Sequence, residues 1–287
     1  ANRFANGVEL EPSEFPAGME TPAFKLLIQE GFKIVPKQDP AKSLIEKYKS
    51  HIQVTRLKDE LYKWELIREF EGRPDTKADN FQQEIKNLKF SNLAYHMSIA
   101  VLNHIAQENI EGLRQIFETL FDEKQLLGDR IAAFTEGANR VYLEINPNEK
   151  DHHYQDERSI ATYLTFHNPQ KYTLYKAGFY KKYCDLIGEP VATKNKKYVH
   201  YMVLVSDFIT KYIEPDKELI NQVKSLMPEY YNGTNHLLLA QDILYQTLEK
   251  KNDINYWVFQ GNPDVYDFKT ALKENLLTDW SIRAHKN

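Results

Sequence analysis

Apolar positions along most of the chain recur at spacings of three and four, the mark of helices that bury one face. Leu44, Ile45 and Tyr48 share a face in AKSLIEKYKSHI, and Leu57, Leu61, Trp64, Leu66, Ile67 and Phe70 keep helical register in LKDELYKWELIREF. Two helices are predicted there, ending at Gly72-Arg73-Pro74, where glycine frees the backbone and proline disfavours a helical residue before it. Further helices are predicted over Asp79 to Leu88, Asn92 to Gln107, Glu111 to Phe121 and Glu123 to Ile145. In the second of these Leu93, Met97, Ala100, Val101, His104 and Ile105 recur at three and four, so it is expected to be the central buried helix of its half. After Asn146-Pro147-Asn148 the pattern resumes over Ser159 to Thr165, Pro169 to Ile187, Tyr198 to Tyr212, Asp216 to Ser225 and His236 to Lys250. Pro215 stands at a helix start, where its missing N–H is harmless, and Asn235 is expected to accept the first free N–H groups of the last helix.

The breaks in this pattern suggest the organisation. Pro12, Pro16, Pro22, Pro36 and Pro40 punctuate the beginning, which predicts an extended arm over 1–39 with a short ordered piece near Ala23 to Gln29 and a short strand at Phe32 to Pro36. The run EKDHHYQDER is the most polar in the chain and is expected to separate a helical lobe over 40–148 from a second over 149–250. In the tail, 251–287, NYWVFQ is β-branched and aromatic, Asn262-Pro263 reads as a turn, and Val265 to Leu272 reads as a helix. The expected fold class is therefore mainly α: a two-lobed helical array with a proline-rich arm and a short, incomplete α/β tail. Only 11 glycines in 287 residues favour this over a nucleotide-binding α/β domain.

Composition narrows the chemistry. No apolar run approaches the roughly 18 residues of a membrane span, and the first residues lack a signal-peptide pattern, so a cytoplasmic protein without a membrane partner is expected. A single cysteine, Cys184, excludes an internal disulfide and a thiolate zinc site. The formal charge is −4, yet between Lys171 and His200 seven lysines face only Asp185 and Glu189. Interleaved with them are Tyr172, Tyr175, Phe179, Tyr180, Tyr183 and Tyr198, which sets phosphate partners beside flat rings able to stack on bases. Tyr172, Tyr175, Phe179, Tyr183 and Leu186 form one helical stripe and are expected in the core, whereas Tyr180 falls off it. Lys171, Lys176, Tyr180, Lys181, Lys182, Lys194, Lys196 and Lys197 are thus the candidate DNA contacts.

Catalytic patterns are sparse. No glycine precedes a lysine, so there is no Walker A loop, and there is no Gly-x-Ser-x-Gly elbow. Pro74-Asp75 followed by Glu84-x-Lys86 has the letters of a metal-dependent nuclease core. The period of Phe81, Ile85 and Leu88 is helical, however, and places residues 84 and 86 about 200° apart around the axis. His152 and His153 with Asp151, Asp156 and Glu157 form the one histidine–carboxylate cluster, in a run read as a polar linker. His96 and His104 are expected as core or helix-edge histidines. No metal site and no cofactor is expected.

The run DERSIATYLTFHNPQKYTLYKAGFYKKYCDLIG, then KKYVHYMVLVSDFITKYI and HLLLAQDILYQTLEK, resembles the region ahead of the motor in bacterial McrB-like AAA-family proteins. These are the nucleotide-hydrolysing subunits of modification-dependent restriction systems. The resemblance runs from Tyr62 (YKWELIREFEGRPD) to the C-terminus, and it implies that the motor lies outside this chain. Tyr256, Trp257, Val258, Phe259, Asn262, Pro263, Asp279, Trp280, Ser281 and Ile282 resemble the opening of an EVE domain, a PUA-like small barrel that reads modified bases. Such a barrel needs more strands than precede Asn287, so the tail is expected to be incomplete and the chain a fragment. The resemblance implies a non-catalytic DNA-recognition or adaptor region of a type IV-like restriction system in phage defence. Its partner would be DNA, including DNA with modified cytosine, and further regions would bind other copies or a nuclease subunit. A helical protein–protein interaction module without nucleic-acid contact is the second reading, which the −4 charge favours. A metal-dependent nuclease is the third.

Overall fold

Asp39 opens the helix Pro40–Thr55 by accepting the Ala41 N–H at 3.0 Å, with Pro40 in the first turn where no donor is needed. In this computed structural model the residues described are 39–147 and 153–249, together with Lys25 and Gln29. The rest of the predicted arm, its short strand, the tail 251–287 and His152 lie outside them. The protein is mainly α-helical. The helices are α1 (Pro40–Thr55), α2 (Leu61–Glu69), α3 (Phe81–Asn87), α4 (His96–Glu108), α5 (Ile110–Phe121) and α6 (Leu127–Ile145). They continue with α7 (Glu157–His167), α8 (Ala177–Ile187), α9 (Lys197–Phe208), α10 (Lys217–Leu226) and α11 (Leu237–Leu244). α9 and α11 each run on into a π-helical turn, Ile209–Ile213 and Tyr245–Glu249. None of these helices is long and apolar enough to cross a membrane.

Caps set most boundaries. Asn80, Asn109, Asp156 and Asp216 each accept a backbone N–H two or three residues into their helix, leaving fewer orphan donors at the start. Asn235 accepts the Leu237 N–H at 3.0 Å, as its position before α11 suggests. Glycine is required where α5 and α6 cross: a Cβ on Gly137 would lie 2.5 Å from the Ile116 methyl.

Two features depart from the sequence reading. The most enclosed helix is α7, in which every residue from Ser159 to Phe166 is buried; it touches α2, α5 and α9. With no wet face, α7 offers no amphipathic contrast to mark how deep it lies. On α4 the buried face is Ser98, Val101, Leu102, Ile105 and Ala106, while Ala100 is exposed and Met97 half-buried. The polar run before α7 also enters the core: Gln155 donates to the Ser98 carbonyl at 2.8 Å and accepts from the Tyr163 hydroxyl at 2.7 Å.

Helix α1, grouped by the sequence with residues up to 148, touches α8, α11 and both π-helical turns. Its seat is polar as well as apolar. Tyr48 donates to Asp242 at 2.7 Å, and Lys63 of α2 reaches the other oxygen of the same carboxylate at 3.3 Å and Glu60 at 2.9 Å. Lys63 is 3% exposed and Asp242 is fully enclosed. The ammonium also stands 3.9 Å from the centre of the Tyr245 ring, so Tyr48, Glu60, Asp242 and Tyr245 enclose one buried cation in a network of hydrogen bonds, ion pairs and a ring face.

Candidate nucleic-acid interface

The predicted helix over Pro169 to Ile187 forms only from Ala177. Residues 172–176 form neither helix nor strand, and Tyr172, Thr173, Leu174 and Tyr175 are buried one after another. Tertiary bonds hold them so. Arg130 donates to the Tyr172 hydroxyl at 2.6 Å, Thr173 donates to the Leu237 carbonyl at 3.1 Å, and the Tyr198 hydroxyl donates to the Thr173 carbonyl at 3.0 Å. The stripe residues Tyr172, Tyr175, Phe179 and Tyr183 are all in the core, but on two elements rather than one.

The eight candidate contacts divide. Lys171 is exposed and pairs with Glu123, which holds its ammonium above the usual range, while Lys171 lowers the Glu123 carboxyl. Lys176 pairs with Glu249 at 2.7 Å. That carboxylate packs against Gly178, where an added Cβ would lie 2.7 Å from its Oε1. Lys182 is exposed and donates to the Leu248 carbonyl at 2.8 Å. Lys181, Lys194 and Lys196 are exposed and Lys197 half-buried, and none has an ion-pair partner among the described residues.

Tyr180 corrects the sequence reading. Read off the apolar stripe, it is nevertheless 1% exposed, because α8 is covered by α1 and α11 and by the loop that follows it. Its ring meets Tyr175, Tyr201 and His200, so it cannot stack on a base. Its hydroxyl accepts the Ala192 N–H at 2.9 Å and bonds His200 Nδ1 at 2.8 Å. Burial pushes the phenol up to about 12, against the lowering effect of the Ala192 N–H. The phenol therefore pins loop 188–196, which carries Lys194 and Lys196, to α8 and α9.

Charge near the start of α9 is partly internal. Glu157 accepts the Tyr198 N–H at 2.9 Å, so one of the free donors at this helix end already serves a carboxylate. Gly188 closes α8 in a left-handed conformation (φ 78°), which turns the chain into the loop.

The nuclease letters are differently employed. Glu84 and Lys86 lie on helix α3, and the Glu84 carboxylate binds Arg73 at 2.9 Å and the Asp75 N–H at 3.1 Å. Among the described residues no three His, Cys, Asp or Glu side chains are grouped to hold a metal. His104 bonds Asn146 at 3.3 Å, and His96 is exposed beside the Tyr95 ring. The network of Tyr48, Glu60, Lys63 and Asp242 escaped the sequence reading. Its one local signal is an aspartate that follows a glutamine within the mostly apolar LLLAQDIL. No protein-family model, curated protein or solved structure matches the chain.

Proposed function

We propose that this chain is a non-catalytic DNA-recognition or adaptor region, of the kind that precedes the motor in modification-dependent restriction proteins. The observation that carries the reading is the set Lys181, Lys194, Lys196 and Lys197, four cations without a carboxylate partner among the described residues, on α8, the loop after it and the start of α9, which Tyr180 ties together from inside. A lysine that is not neutralised within its own molecule keeps its field for a ligand, and phosphates are anions that such lysines fit. The net charge of −4 does not oppose this, because surface fields are screened beyond roughly 8 Å at physiological salt and binding follows the local patch. The resemblance of this segment to the region ahead of an McrB-like motor supports the same partner. Of the eight candidates, these four and Lys182 remain as contacts; Lys171 and Lys176 would first have to leave Glu123 and Glu249.

Titration of the chain with matched duplexes, unmodified and cytosine-modified, across a salt series tests the reading. Affinity is expected to fall steeply with salt, and alanine at all four lysines to flatten the log–log slope by about 3 to 4, near 0.9 for each phosphate that is no longer neutralised. A slope that the fourfold variant leaves unchanged would remove these lysines from the interface.

One observation favours the second reading, a protein-docking module. Leu126 is 77% and Val203 55% exposed. Val199, one turn before Val203, lies 3.8 Å from where a Cβ on Gly128 would sit. Wild-type chain that ignores both duplexes at low salt would shift the case to that surface.

A further inference from the structure

The bonds around Tyr180 fix more than a loop. Its oxygen accepts the Ala192 N–H at 2.9 Å, so its own proton is directed elsewhere. His200 Nδ1 at 2.8 Å is the strongest acceptor in reach, the Cys184 thiol beside the phenol being a weaker one. An imidazole that accepts at Nδ1 carries its proton on Nε2. The His200 ring is half-buried, and Nε2 has no partner among the described residues and is not sealed from solvent. The residue stands one turn from Lys196, whose carbonyl accepts the His200 N–H at 3.1 Å. A donor whose direction the Tyr180 bond fixes therefore stands one turn from Lys196, which has no ion-pair partner among the described residues.

We infer that His200 donates its Nε2–H to a phosphodiester oxygen alongside Lys196 and Lys197, and that Tyr180 is the positioning residue that sets this tautomer and holds the lysine loop. The inference rests on the DNA reading above and adds a contact that charge counting misses. Lysine supplies a mobile point charge, whereas a tautomer-locked imidazole supplies a directional donor, and direction gives register along a backbone.

The test uses the full chain and a short unmodified duplex at low salt. Long-range proton–nitrogen correlation spectra of the labelled protein should place the His200 proton on Nε2. His200→Ala and Tyr180→Phe should each weaken binding by about fivefold, the scale of one hydrogen bond, with the salt slope unchanged because no counterion-displacing charge is removed. The double variant should be no weaker than Tyr180→Phe alone, since that single change already removes the His200 contact. His200→Gln, which keeps an N–H near the Nε2 position, should bind close to wild type, and faster exchange of the Ala192 amide in Tyr180→Phe would show the loop released. Wild-type binding that neither single variant weakens overturns this inference and leaves the DNA reading standing. A wild-type chain that binds no duplex at low salt overturns both.

Discussion

Lys63 and the row from Lys181 to Lys197 are the same kind of side chain put to opposite uses. Lys63 is sealed between Glu60, Asp242 and the Tyr245 ring, whereas Lys181, Lys194 and Lys196 stand in solvent without an ion-pair partner among the described residues. A buried ammonium is tolerated only when anions and acceptors replace its hydration, so its charge is used up within the fold. A solvated ammonium needs no such replacement and contributes little to folding. Lys176 lies between the two cases, partly exposed and paired with Glu249. The difference shows that lysine density alone does not define a ligand surface; what defines it is charge that the fold has not already answered.

The largest effect should come from opening the buried network. Lys63→Met keeps the length of the side chain but leaves the buried Glu60 and Asp242 carboxylates without the ammonium that pairs with both. Removing one partner of a buried pair costs about 3 to 5 kcal/mol. Denaturant unfolding followed by circular dichroism should register that loss as a lower midpoint. A change below about 1 kcal/mol would mean that water reaches the site and that Lys63 belongs with the surface lysines.

The sequence reveals these two regions unequally. Helix periods were plain wherever one face is wet, as in α1, α2 and α5, where Leu44, Trp64 and Phe117 mark the inner side. They gave α7 but not its burial on all sides, and they failed where spacing mimics a helix, as in Tyr172, Tyr175 and Phe179, the first two of which lie in a stretch that is neither helix nor strand. The exposed lysines were legible because they cluster in the sequence. Tyr180 was misread because a single stripe assumes that a helix is covered on one side, and α8 is covered on several. The buried network was hidden because Tyr48 and Lys63 are 194 and 179 positions from Asp242, a distance over which no local pattern operates.

A smaller effect should follow from interior histidines, which lack the anions that serve Lys63. Burial lowers His167, stacked on Phe121 at 3.7 Å, and His236, which bonds the Tyr231 hydroxyl at 2.7 Å. In each case burial outweighs the raising effect of a nearby carboxylate, Glu123 and Asp75 for His167 and Glu214 for His236. With the folded value below the ordinary 6.5, the unfolded chain binds more protons in the interval between the two. Stability is then full above 6.5 and falls as the pH drops toward the folded values, levelling off below them. Chemical unfolding at a series of pH values should show this decline, and His167→Gln combined with His236→Asn should flatten it. A profile identical in the double variant would assign the decline to carboxylates instead.

The smallest effect on stability should be that of Lys181, Lys194, Lys196 and Lys197 replaced together by alanine. Three of the four are exposed, and none has an ion-pair partner among the described residues. Surface substitutions away from caps and cores stay within about 0.5 kcal/mol each. Removing like charges from one segment also relieves mutual repulsion, which acts against the small loss of stem packing. The unfolding midpoint is therefore expected to move little or to rise slightly, most visibly at low salt where repulsion is least screened. The same variant is the one expected to lose most of the salt dependence of duplex binding. A large drop in stability would show that these side chains serve the fold as Lys63 does, and the contrast between the two regions would collapse. A stable variant with flattened salt dependence would separate the two uses of lysine in a single molecule.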